Sequence, residues 1–172
     1  MVEDKSRSNK KNCASVDEFC FVAVDSPKAV DDFDAVVSLM KQYFPPSNNE
    51  GAISDIIRGL GGRYSLFVAF NGEKPIAYMF CEKKREGDKP KGGYVISEFY
   101  AATEEKSRIY KRLMEMARKD AKGNGKNLIY FEARQSTLEH TLPLELGFKE
   151  AFKIDGAGPI PIIVGKRSVQ NL

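Results

Sequence analysis

The stretch 104–131, EEKSRIYKRLMEMARKDAKGNGKNLIYF, puts Lys106, Ser107 and Arg108 where an amphipathic helix begins. The first N–H groups of a helix have no intrahelical acceptor, and with the macrodipole they form a seat for an anion. Lys106 and Arg108 add charged donors there, and Ser107 adds a neutral one. A diphosphate-bearing ligand suits such a start. Glu104 and Glu105 oppose an anion electrostatically, and an ordinary basic helix surface explains the same residues. Neither GxGxxG nor GxxxxGK[ST] occurs, so the dinucleotide fingerprint and the P-loop are both absent.

The other reactive residues are sparse. Cys13, Cys20 and Cys81 form no CxxC pair, and their odd number argues against a disulfide framework. His140 is the sole histidine, so no metal site is expected. Cys20 and Cys81 fall in strand-like runs and read as small buried hydrophobes. A thiol nucleophile would require folding to bring His140 close. Lys83, Lys84, Arg85, Lys89 and Lys91 are diluted by Glu82, Glu86 and Asp88 and read as a solvated turn. The net charge of +3 does not call for a nucleic-acid partner.

With 172 residues, 42% of them hydrophobic, the chain suits one domain with a sizeable core. Residues 1–17 read as a flexible tail ahead of a domain at 18–172. FCFVAV at 19–24 is a strand pattern. Residues 25–44 carry Val30, Phe33, Val37, Met40 and Phe44 at helical spacing, with Asp25 or Ser26 as the cap. A second, shorter helix follows at 50–62. The runs 64–70 and 74–84 flank Asn-Gly, a hairpin signal. Residues 93–101 form another strand. The helix at 105–122 turns Ile109, Leu113 and Ala117 to a sheet, and 126–133 returns as a strand. A helix at 136–146, interrupted by Pro143, precedes strands at 147–154 and 160–167. The fold class is α+β (mixed α/β): a mixed, mainly antiparallel central sheet flanked by helices. No apolar run is long enough to cross a bilayer and the start lacks a signal-peptide shape, so a cytoplasmic protein is expected.

The segment YVISEFYAATEEKSRIYKRLMEMARKDAKGNGKNLIYFEA, followed by LELGFKEAF, resembles the GCN5-related N-acetyltransferase (GNAT) superfamily. That family has a strand, an Arg/Gln-x-x-Gly-x-Gly/Ala loop opening a helix, a further strand, a helix and a Leu-Gly-Phe turn. Here the family's Arg or Gln falls on Glu105, and its two glycines fall on Arg108 and Tyr110. The resemblance implies acetyl-CoA, or a related acyl-CoA, held by the strand end and helix start: Tyr100, Ala101, Lys106, Ser107, Arg108, Ile109 and Tyr110.

It also implies transfer of an acetyl group to a primary amine on a small molecule or a protein. Such transfer needs a neutral amine, a stabilised thioester oxygen and a proton for the leaving thiolate. Glu98, just before the loop, is the candidate base; a solvent-facing strand glutamate is the plainer alternative. The family's usual tyrosine acid falls on Pro143, which has no proton to give. Tyr130, Tyr100 and His140 are the substitutes, and spacing chooses none of them. Homodimers through the late strands are common in that family, and the sequence itself carries no interface signal. The second functional expectation is a catalytically inactive interaction or sensor module of the same fold, favoured by the replaced glycines.

Overall fold

The computed structural model describes residues 14–16, 18–43, 49–88, 93–126, 128–134, 149–154 and 162–168. The strands are β1 (Ala14–Val16), β2 (Phe19–Val24), β3 (Tyr64–Asn71), β4 (Lys74–Lys83), β5 (Tyr94–Ala101), β6 (Leu128–Arg134), β7 (Lys149–Ile154) and β8 (Ile162–Ser168). The helices are α1 (Phe33–Tyr43), α2 (Asn49–Gly59) and α3 (Lys106–Gly123). The eight strands among the described residues form one sheet in the order β1-β2-β3-β4-β5-β6-β8-β7. Every neighbouring pair is antiparallel except β5 and β6, which α3 joins as parallel strands. The expected mixed, mainly antiparallel sheet is the one observed.

The sheet divides the core in two. On one face Ile109, Tyr110, Leu113, Met114, Ala117 and Ala121 of α3 pack on Met79, Cys81, Tyr94 and Ile96. On the other, Val36, Leu39 and Met40 of α1 and Ile53 and Ile56 of α2 pack on Leu66, Val68, Tyr78 and Phe80. With both faces covered, β3 and β4 read as almost unbroken apolar runs rather than alternating ones. Alternation survives only in where each side chain goes: Ala77, Met79 and Cys81 to the α3 layer, Tyr78 and Phe80 to the α1–α2 layer.

Two boundaries differ from expectation. The helix anticipated from residue 25 is two pieces. A 3-10 turn occupies Pro27–Ala29, Val30 is extended (φ −132°, ψ 149°), and α1 starts only at Phe33. Asp32 is the cap: its Oδ1 accepts the Ala35 N–H at 2.9 Å. The buried α1 line is therefore Val36, Leu39 and Met40, with Phe33 and Val37 at its margin. The sheet also begins at Ala14, inside the stretch taken as a tail, because β1 pairs with β2. After α2 the chain turns at Gly61 (φ +73°), where an added Cβ would lie 2.9 Å from the Asp25 carbonyl oxygen. The anticipated helix at 136–146, with His140 and Pro143, and the LELGF segment at 144–148 lie outside the described residues.

Candidate active site

The site is organised by an irregularity in β5. Against β4, Ile96 pairs with Cys81 and Glu98 pairs with Phe80, so Ser97 is an extra residue, a β-bulge. Before it, Tyr94 and Ile96 lie in the α3 layer; after it, Phe99 and Ala101 do. An unbroken strand would have sent residue 98 toward α3 along with 94 and 96. The bulge instead gives that face to Phe99, and half-buried Glu98 is released from it. Tyr100 joins the α1–α2 layer, 6.2 Å from Tyr78 between ring centroids.

The same point marks an opening in the sheet. The parallel ladder of β5 to β6 runs Tyr94–Ile129, Val95–Tyr130, Ile96–Phe131 and stops. β5 continues to Ala101 on β4, while β6 continues to Arg134 on β8. From Ser97 onward the two strands no longer hydrogen-bond to each other, so backbone groups on the facing edges of β5 and β6 are left without that ladder. On the α3 side the gap is lined by Phe99, Tyr110 and Phe131: Tyr110 meets Phe99 edge-on at 4.6 Å and Phe131 at 6.4 Å.

At the end of β5, the Ala102 N–H donates to the Ile76 carbonyl at 2.8 Å, and the Glu105 N–H donates to Thr103 Oγ1 at 3.3 Å. Helix α3 then begins with Lys106, Ser107 and Arg108, all exposed. The Arg108 guanidinium donates to Glu105 Oε2 at 3.0 Å and lies 5.9 Å over the Phe19 ring. The side chains of Ile109 and Tyr110 are wholly buried in the core, and the Ile109 N–H already donates to the Glu105 carbonyl at 3.1 Å. Their side chains therefore face the sheet, and any part they take in holding a ligand falls to the backbone of the first turn. Helical phase assigns them to the sheet, leaving Lys106, Ser107 and Arg108 as the outward donors.

The other expected residues are scattered. Tyr130 is half-buried on β6, opposite Val95 and before the gap opens. His140 lies outside the described residues. Cys20 is half-buried and disulfide-bonded, which corrects its reading as a small buried hydrophobe. Cys81 is free and buried, and burial pushes its thiol well above the usual range, so it is held as the thiol rather than a thiolate. Among the described residues no group of three or more His, Cys, Asp or Glu could hold a metal, and no helix is long and apolar enough to cross a membrane.

Sequence inspection missed a polar knot at the far end of α3. Asp120 Oδ2 accepts hydrogen bonds from Ser65 Oγ (2.6 Å) and Tyr94 Oη (2.7 Å), and Asp120 Oδ1 accepts one from Asn124 Nδ2 (3.1 Å). Lys83 Nζ lies 3.9 Å away. The available signal was an aspartate beside Ala117 and Ala121 on the apolar face of an amphipathic helix. The bulge at Ser97 had no such signal.

The sequence matches no family model and no curated protein. Solved structures do match. The NatC complex bound to Gag peptide and CoA aligns at 12% identity and a TM-score of 0.70, covering 88% of this chain and 98% of that one. An aminoglycoside 6'-N-acetyltransferase complexed with coenzyme A aligns at 12% identity and 0.66, covering 86% and 97%. A candidate acetyltransferase of the GNAT family from Desulfovibrio desulfuricans aligns at 15% identity and 0.66, covering 88% and 99%. The chain has the GNAT fold. Within that fold, the β5–β6 opening and the α3 start belong to one strand–helix–strand unit, with Glu98 between them.

Proposed function

We propose that the chain is an N-acyltransferase that moves an acetyl group from acetyl-CoA, or a related acyl-CoA, to a primary amine. The observation that carries this is the combination at β5: the ladder to β6 ends at Ile96, and the bulge at Ser97 turns Glu98 away from α3 at that same point. A narrow acyl arm can lie along the unpaired edge, using its amides where β6 would otherwise bond. The α3 start, with Lys106, Ser107 and Arg108, suits the phosphates of the donor. Tyr100 and Ala101, at the end of β5, adjoin the arm.

The donor supplies an activated thioester. Glu98, directly or through a water, accepts the proton an ammonium must lose before its nitrogen attacks the carbonyl carbon. The new C–N bond forms, the C–S bond breaks, and the departing thiolate takes up a proton. Tyr130 and His140 are the proposed sources of that proton. Glu98 and the neighbouring Tyr78 and Tyr100 rings favour a cationic amine on the α1–α2 side. Fold relatives include an aminoglycoside acetyltransferase and a ribosomal-protein-S18-alanine N-acetyltransferase from Escherichia coli, so small-molecule and protein amines are both within the proposal. A soluble cytoplasmic setting, without a nucleic-acid or membrane partner, fits this chemistry, and a homodimer is compatible with it.

The test is release of free thiol from acetyl-CoA in the presence of a panel of amines and peptide N-termini, alongside calorimetric titration with acetyl-CoA. Turnover with any acceptor supports the proposal. Folded protein that fails to bind at millimolar acetyl-CoA favours the second reading, a noncatalytic module. The observation on that side is Arg108, which stands where the family has a glycine and is paired with Glu105, which stands where the family has Arg or Gln.

A further inference from the structure

We infer that Glu105 and Arg108 form a latch across the start of α3, in which the carboxylate holds the guanidinium until the donor's phosphates displace it. The inference rests on the acyl-CoA reading and adds a regulating element to it.

Glu105 occupies the N-cap position, yet its side chain makes no capping bond to the helix. It bonds Arg108 instead, with Nη1 and Oε2 3.0 Å apart. Both side chains are 45% exposed, so the pair is screened and weak enough to open. Phe19, from β2, gives the guanidinium a second support through its ring face at 5.9 Å. In this position Arg108 is pre-placed at the helix start but electrically spent.

A carboxylate beside the positive end of a helix competes with any other anion for the same field. A diphosphate offers the guanidinium two parallel acceptors and more charge than one carboxylate, so it wins the exchange. Glu105 therefore lowers donor affinity, and it does so through Arg108. Glu104, also exposed and one residue earlier, has no bond to Arg108 among the described residues and is the natural control.

The full chain is titrated calorimetrically with coenzyme A at fixed ionic strength. Glu105→Gln is expected to tighten binding about two- to fivefold, the scale of one charge at a helix start. Glu104→Gln should do less. Arg108→Gln should weaken binding about tenfold or more, and Glu105→Gln should add nothing in that background. The Arg108 Nε–H resonance, followed by NMR in the unmutated chain, should shift as coenzyme A is added. An unmoved resonance, no tightening in Glu105→Gln, or equal effects from Glu104→Gln and Glu105→Gln each overturn the latch while leaving the acyl-CoA reading standing. Folded wild type, Glu105→Gln and Arg108→Gly that all fail to bind coenzyme A at millimolar concentration overturn both.

Discussion

The Tyr94 hydroxyl on β5 donates a 2.7 Å hydrogen bond to Asp120 Oδ2 on α3, and Ser65 Oγ on β3 donates to the same oxygen at 2.6 Å. One carboxylate therefore ties the last turns of α3 to two strands. The opposite end of that helix bears the proposed donor site. Removing one donor should cost less than removing the shared acceptor, because the latter strands two hydroxyls. Tyr94→Phe is expected to destabilise by about 0.5–1.5 kcal/mol and Asp120→Ala by about 2–4 kcal/mol. Urea denaturation gives both values, and equal costs would show that the knot is not shared.

The same cluster makes stability fall in alkali. Burial raises the Cys81 thiol above its ordinary value, and burial followed by Cys81 and Asp120 raises the Tyr94 hydroxyl. Both acids are held protonated in the folded chain and ionise more readily when unfolded. Stability from each is complete below its unfolded pKa and declines as pH climbs toward the folded one. The decline should start near pH ~8.5 for Cys81, steepen above about pH 10 for Tyr94, and approach 1.4 kcal/mol per pH unit per group. Denaturation of Cys81→Ala at pH 7, 9 and 10 should show a shallower fall between pH 7 and 9 than wild type; an identical slope excludes the thiol as the cause.

Glu98→Gln should remove the proposed base while keeping size and polarity. Turnover with an identified acceptor is expected to drop about 10²–10⁴-fold, the range for general-base removal, with donor affinity and thermal stability nearly unchanged. Partial recovery at high pH, where free amine is abundant, would accord with the role. Undiminished turnover would rule it out.

Deleting Ser97 should give a folded protein without a donor site. Glu98 and Ile96 would then pair consecutively with Phe80 and Cys81, and the faces of Phe99 and Ala101 would be kept. The strand would lose the local bend that a bulge imposes, and β5 could continue its ladder along β6. Circular dichroism should stay native while coenzyme A titration shows loss of binding. Retained affinity would mean that the bulge does not set the opening.

Leu113 is fully buried between α3 and the sheet. Leu113→Ala should cost about 2–5 kcal/mol through lost transfer energy and the remaining cavity. Chemical denaturation measures it, and a cost below about 0.5 kcal/mol would be the signature of a surface site.

Residue types and periodicity were enough for most elements. Asn71-Gly72 marks the β3–β4 hairpin because Gly72 accepts φ +60°. Ile109, Leu113 and Ala117 recur at helical spacing, and they are among the residues α3 buries. Where local chemistry offered equal alternatives, sequence could not choose. Asp25, Ser26 and Asp32 are all competent caps, and only the extended Val30 makes Asp32 the one that acts. The segment before residue 18 is polar enough to read as a tail; pairing with β2 recruits Ala14–Val16, a partnership between strands that a single segment cannot express.

What the sequence determined alone is therefore the local part: which segments become helices or strands, which apolar stripe each buries, and that cations stand at the start of α3. Those properties follow from side chains three or four residues apart on a helix, or two apart on a strand. Tertiary structure decided the rest. It placed the odd residue of β5 at Ser97, and so the face of Glu98, because a bulge is a mismatch between two strands' registers. It ended the β5–β6 ladder at Ile96, because how far two strands stay paired depends on the courses both take through the sheet, β5 along β4 and β6 along β8. It assigned Tyr110 to the core and Arg108 to Glu105 and Phe19, because helical phase has meaning only once the sheet fixes which side is inward.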